Sequence, residues 1–217
     1  MQNPDIALAR HSMIKCQLEP NGVINAAILH AFDSSPRHDC VPDAMRLAAY
    51  ADADINLGEG RSLVAPMTLA KLLQAAMPRL EDTALVIGGN TGYSALILSQ
   101  LVGNLYMLED NAEFLARAEA LLQANDTAAD VILAQGPLSD GLPRHAPYSL
   151  IVLDGAVPCV PQHVLAQLTE SGRLVGVEGQ SAVLYQKTGG DAYSRRVLFD
   201  ITTKILPGGW KAERFAL

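Results

Sequence analysis

Leu85-Val86-Ile87-Gly88-Gly89-Asn90-Thr91-Gly92-Tyr93-Ser94, with Leu105-Tyr106-Met107-Leu108-Glu109-Asp110 after it, decides the fold of this chain. The first run reads as a buried strand that breaks into a glycine-rich turn and opens a helix. The second reads as a strand ending in a carboxylate. This is the layout of a nucleotide-type binding half: the backbone approaches a ligand at the turn, and a carboxylate about 20 residues on accepts from ribose hydroxyls. The glycines do not complete a dinucleotide fingerprint, because G-x-G-x-x-G needs its third glycine just inside the helix. Here Gly88, Gly89 and Gly92 are grouped around Asn90. Asparagine enters left-handed backbone conformations more readily than other non-glycine residues, so Asn90 is tolerable at a turn position otherwise given to glycine.

Outward from this unit, strands are expected at 84–88, 105–109, 130–135, 148–154 and 172–178, with helices at 92–102, 111–124 and 161–169. Strands alternating with helices of this length predict a parallel sheet with helices on both faces. The segments 181–187 and 195–205, joined at Gly189-Gly190-Asp191, predict a hairpin that adds antiparallel edge strands. The first third lacks this rhythm. Helices fit 6–18, 23–33 and 43–50, the stretch 52–64 reads as extended with bends at Gly58 and Gly60, and Pro66 opens a helix over 66–77. The expected organisation is one domain over 1–217, an N-terminal helical extension (1–80) packed on an α/β core (81–217).

A chain of 217 residues that is 49% hydrophobic can bury one sizeable core. A net charge of −7 argues against a broad nucleic-acid footprint or a polybasic membrane patch. Apolar stretches are interrupted and too short to span a bilayer, and the first residues carry no basic leader. Cys16, Cys40 and Cys159 are widely separated, which suits free thiols of a reducing compartment and no metal site. A cytoplasmic protein is expected, without nucleic-acid or membrane partners. Its oligomeric state is open, with a monomer favoured.

The glycine turn is nearer the G-x-G-x-G turn of S-adenosylmethionine-dependent methyltransferases, and a longer series of blocks narrows this. Arg10-x-x-Met13-x-x-x-Gln17-Leu18, Pro36-Arg37-x-x-Cys40-Val41-Pro42, Ala49-Tyr50-Ala51-Asp52, the turn itself, Ala146-Pro147-Tyr148-Ser149-Leu150-Ile151-Val152 and Gln167-Leu168-x-x-x-Gly172-Arg173-Leu174-Val175 occur in order. The chain thereby resembles the protein-L-isoaspartate O-methyltransferases over nearly its whole length. The resemblance implies a Rossmann-like, seven-stranded methyltransferase sheet with an N-terminal helical extension, S-adenosylmethionine as cofactor, and an isoaspartyl protein or peptide as methyl acceptor. Three positions depart from the family: Val86 replaces an acidic residue, Pro137 replaces the aspartate of a G-D-G block, and Val64 stands at the acceptor-site serine of a T-I-S-x-P block, here Ser62-Leu63-Val64-Ala65-Pro66.

On this resemblance Gly88, Gly89, Asn90, Thr91 and Gly92 hold the amino-acid end of the cofactor, Glu109 takes the ribose, and Ser62 and Val64 border the acceptor. Ser94 at the helix start and Asp154 at a strand's carboxyl end complete the cofactor set. Each has a plainer reading: glycines for tight packing, Glu109 or Asp154 as caps, Asp52 as a backbone anchor, His145 and His163 as surface residues. A carboxylate acceptor is already ionised at neutral pH, with an unperturbed pKa of about 4, so methyl transfer to it needs positioning rather than a general base. The alternatives are a relative that keeps the fold as a binding or scaffold module, and a methyltransferase of a less polar acceptor. A nicotinamide-dependent oxidoreductase comes last.

Overall fold

In the computed structural model, which describes residues 4–125 and 127–210, the extended stretch after residue 52 folds as a hairpin. Its strands are β1 (Ile55–Gly58) and β2 (Arg61–Leu63), paired antiparallel. The alternating remainder builds a seven-stranded sheet from β3 (Thr83–Ile87), β4 (Asn104–Glu109), β5 (Asp130–Gln135), β6 (Tyr148–Val157), β7 (Leu168–Glu178), β8 (Ser181–Gly189) and β9 (Ala192–Asp200). The order across the sheet is β5-β4-β3-β6-β7-β8-β9. Its first five strands run parallel, and β8 and β9 are antiparallel additions. The order reverses between β3 and β6, which opens a crevice at their carboxyl ends.

Period-two alternation divides the core. Ala84 and Val86 of β3 join one apolar cluster, with Leu105, Met107, Leu150 and Val152, while Leu85 and Ile87 join a second with Leu108, Ile151 and Leu153. The first cluster is covered by α2 (Ala26–Ser34), α3 (Pro66–Ala76), α4 (Tyr93–Leu98) and α5 (Ala112–Gln123); α1 (Pro4–Ser12) leads into this layer. The second is covered by α6 (Gln162–Leu165) and by Leu206 and Trp210. Pro66 sits in the first turn of α3, and two carboxylates serve the amides around it. Asp54 Oδ1 accepts from the Ala65 amide at 2.8 Å and Asp52 Oδ1 from the Met67 amide at 3.2 Å.

Local pattern overreached where tertiary pairing took residues away. The helix expected over 161–169 stops at Leu165, because Leu168 is drawn into β7 opposite Tyr148. The helix over 92–102 is α-helical only to Leu98. The helix of 6–18 passes into a π-helical turn at Met13–Leu18 that buries Met13, Ile14 and Leu18, and 43–48 is 3-10 rather than α. The final strand ends at Asp200, five residues early. The chain then leaves the edge strand, and Ile205 bridges to Ala156 of β6. Among the described residues no helix is long and apolar enough to cross a membrane.

Candidate active site

The carboxyl ends of β3, β4 and β6 meet the hairpin β1–β2 at one edge of the sheet. After Ile87 the chain turns through Gly88 (φ 78°), Asn90 (φ 51°) and Gly92 (φ 94°), all in the left-handed region. Gly89 is required for closeness instead: a Cβ there would lie 2.6 Å from the Met107 side chain. The turn is tied to β4, with the Gly88 amide donating to Leu108 O at 2.8 Å and the Asn90 amide to Glu109 Oε2 at 2.9 Å. The Thr91 hydroxyl donates to Cys40 O at 2.7 Å and so binds the turn to the Pro36–Pro42 block. Ser94 donates to Asp154 Oδ2 at 2.6 Å, both side chains being buried. Burial, partly offset by that hydrogen bond, pushes the Asp154 carboxyl up to about 6.

Glu109 ends β4 where the spacing places it, and it is fully buried and fully engaged. Arg61, the first residue of β2 and only 2% exposed, grips it with Nη1 at 2.6 Å from Oε1 and Nη2 at 2.8 Å from Oε2. The same guanidinium donates to Asp110 Oδ1 at 2.9 Å and Gly88 O at 3.1 Å, and lies 5.9 Å from the Phe114 ring. The amides of Asp110 and Asn111 also donate to Glu109 Oε1, each at 3.1 Å. Burial pushes the Glu109 carboxyl up, against two guanidinium nitrogens and three backbone amides that favour its ionised form.

Leu206 roofs this arrangement. A Cβ at Gly88 would lie 2.7 Å from its Cδ2, as would one at Gly155, so the leucine sits directly on the glycine backbone. Backbone bonds from Ala156 N to Lys204 O and from Leu206 N to Ala156 O, both 2.8 Å, fix the segment, and the Thr203 hydroxyl donates to Asp54 Oδ2. The remaining cavity beside Arg61 is about 250 Å³, lined by Glu59, Arg61, Asp110, Asn111 and Pro207. That is below the roughly 300–1,000 Å³ of ordinary ligand pockets.

Ser62 and Val64 are both buried on the hairpin side of the turn. Ser62 O receives the Asn90 side-chain amide at 3.4 Å, and Val64 O receives Arg37 Nη2 at 2.7 Å. Arg37, itself fully buried, also donates through Nε to Ala49 O at 2.7 Å and lies 4.8 Å from the Tyr93 ring. His38 Nδ1 is 2.8 Å from Tyr50 OH. The Pro-Arg and Ala-Tyr-Ala-Asp blocks thus build the wall that carries residues 62–66. Asp52 is the backbone anchor at α3, His145 stacks on Tyr106 at 4.7 Å, and His163 Nε2 lies 2.8 Å from Ser139 O. Of the residues expected at the site, the structure joins Asn90 to Glu109 and Ser94 to Asp154 by direct hydrogen bonds. Sequence reasoning missed Arg61 and Leu206, neither of which carries a local signal: β2 is the short run Arg-Ser-Leu, and Leu206 lies outside the strands.

A glycine turn after the first strand of a parallel sheet, a carboxylate ending the second, and two antiparallel edge strands define a Rossmann-like methyltransferase fold. A solved "protein-L-isoaspartate O-methyltransferase" superposes with a TM-score of 0.78 over 93% of this chain and 67% of its own, at 22% identity. A Plasmodium falciparum structure, titled as a putative protein-L-isoaspartate O-methyltransferase in complex with S-adenosyl-L-homocysteine, superposes with a TM-score of 0.75 at 16% identity, over 92% of this chain and 99% of that one. The family model for protein-L-isoaspartate(D-aspartate) O-methyltransferase matches residues 9–202, and the chain belongs to that family. A relative named protein-L-isoaspartate O-methyltransferase from Roseiflexus sp. (strain RS-1) is 34% identical over 97% of this chain and 98% of its own. One of the same name from Methanoculleus marisnigri is 33% identical over 78% and 77%.

Proposed function

We propose that this protein is an S-adenosylmethionine-dependent O-methyltransferase that methylates the α-carboxylate of isoaspartyl residues in damaged proteins. The observation that carries the reading is that the family match runs from residue 9 to 202 and includes the N-terminal blocks. Those blocks do structural work at the site: Arg37 joins Ala49 O to Val64 O and holds residues 62–66 beside the glycine turn. The acceptor carboxylate arrives ionised, so the wall has to position it and exclude water rather than remove a proton. Gly88, Gly89, Asn90, Thr91, Gly92 and Ser94 are assigned to the cofactor's amino-acid end, and Glu109 and Asp154 to the rest of the cofactor. As they stand these residues do not fit it, because Glu109 is saturated by Arg61 and Gly88 is covered by Leu206. We assign the protein to the cytoplasm and favour a monomer, with the oligomeric state open.

The test is methylation of an isoaspartyl peptide, with the normal aspartyl peptide as control, read by mass spectrometry as a base-labile methyl ester. Ester on the isoaspartyl peptide alone is expected; none on either at high enzyme concentration removes the assignment. A second reading, a relative that binds without turning over, is favoured by Val64, which supplies no hydroxyl where the family's acceptor contact stands. Cofactor binding without ester formation would select it.

A further inference from the structure

We propose that the chain carries its own occupant of the cofactor cleft: the Arg61 guanidinium sits on Glu109 where a ribose diol would bind, Leu206 closes the glycine turn above it, and a cofactor enters only by displacing both. This rests on the assignment of Glu109 to the ribose. The geometry is that of a competitor rather than a bystander. A ribose needs free lone pairs on the carboxylate, and Oε1 already accepts three donors and Oε2 two. The backbone approach that glycine at 88 permits is taken by a leucine from 118 residues further along.

The two parts of the closure are anchored differently. Arg61 is held by charge, through Glu109 and Asp110. Leu206 is held by one backbone bond to Ala156, by a second between Ala156 and Lys204 two residues before it, and by Trp210, whose Nε1 donates to Leu206 O at 3.1 Å and Pro207 O at 2.9 Å. A short segment outside the strands, fixed by so few bonds, opens at less cost than the sheet it rests on. The observed affinity is the intrinsic one multiplied by the open fraction, so a cleft open about 1% of the time binds roughly 100-fold more weakly than an open one. Loosening either part raises that fraction, whereas an ion pair serving only to hold the fold predicts that loosening leaves binding unchanged or weakens it.

Trp210 is the one tryptophan in the chain and is buried, so its emission reports the segment directly. The experiment titrates the full-length protein, Arg61→Gln and Leu206→Ala with S-adenosylhomocysteine, by calorimetry and by tryptophan emission. Arg61→Gln keeps a donor toward Glu109, and Leu206→Ala leaves the ion pair intact, so one variant remains informative if the other folds poorly. Expected are at least about tenfold tighter binding to each variant and a red shift of Trp210 emission when ligand binds the unsubstituted protein. Equal affinities with unmoved emission overturn the closure and leave the proposed cofactor standing. Absence of binding by all three at millimolar ligand overturns the closure and the cofactor assignment together.

Discussion

Replacing Glu109 by glutamine tests how the sheet edge is held. The carboxylate accepts five donors: Arg61 Nη1 and the amides of Asp110 and Asn111 on Oε1, and Arg61 Nη2 and the Asn90 amide on Oε2. Whichever way the new amide turns, its NH₂ faces one guanidinium nitrogen and at least one backbone N–H, donor against donor. Arg61 meanwhile stays buried with Asp110 as its remaining carboxylate, at 2.9 Å. Breaking a buried pair on one side costs about 3–5 kcal/mol, and the surviving Asp110 contact places this case near about 3. For a chain of 217 residues that lowers the melting temperature by roughly 6–12 °C. Urea unfolding at neutral pH measures it, with an unchanged dependence on urea confirming that the native state alone is altered. Adding Arg61→Gln should recover about 1 kcal/mol or more, because two amides can pair where an amide and a guanidinium cannot. A loss under about 1 kcal/mol for Glu109→Gln, or no recovery in the double variant, refutes the idea that this ion pair organises the edge.

Other outcomes follow from the same geometry. Val64→Ser restores a hydroxyl to the acceptor wall and should raise isoaspartyl-peptide turnover about 10- to 100-fold in steady-state assays, the value of one hydrogen bond to a charged group. The Asp154 carboxyl sits at about 6 in the folded protein against 3.8 in the open chain, so folding favours its protonated form. That contribution is whole below pH 3.8 and is lost as pH rises through about 6; measured against Asp154→Asn by urea unfolding, the wild-type chain should lose about 2 kcal/mol between pH 4 and pH 7. Gly92→Ala forces a φ of 94° on a Cβ that would lie 3.0 Å from the Ala118 backbone, and should cost about 1–3 kcal/mol in thermal unfolding.

What the sequence discloses here divides along the range of the interactions. The alternation of Ala84 and Val86 with Leu85 and Ile87, the turn at Gly88 and the carboxylate at Glu109 are local patterns, and each lands where its periodicity places it. Asp52 is expected to bond backbone, and it does, but the amide it takes is that of Met67, 15 positions on, which no local pattern names. The partner of Glu109 lies 48 positions away, in a strand whose own pattern says only that it is buried. No local rule states that an arginine there will face a carboxylate rather than solvent. Leu206 is less legible still, since nothing in Ile205-Leu206-Pro207 distinguishes a segment lying over a glycine turn from an ordinary exposed tail. The short α6 fails for the opposite reason: helical spacing persists through Leu168, but pairing with Tyr148 outweighs it.

The two antiparallel strands at the far side of the sheet set its width. β9 leaves its outer row of amides and carbonyls unpaired, an invitation for another chain to add a strand. It carries Ser194, Arg195 and Arg196 along its middle, all exposed, and Arg195 reaches back across β8 to Glu178 on β7 at 2.8 Å. An incoming strand would bring like charge against like and would disturb an ion pair that already has its partner. Growth of the sheet by stacking strand upon strand, the route by which exposed edges seed fibres, is thus opposed at the β9 border.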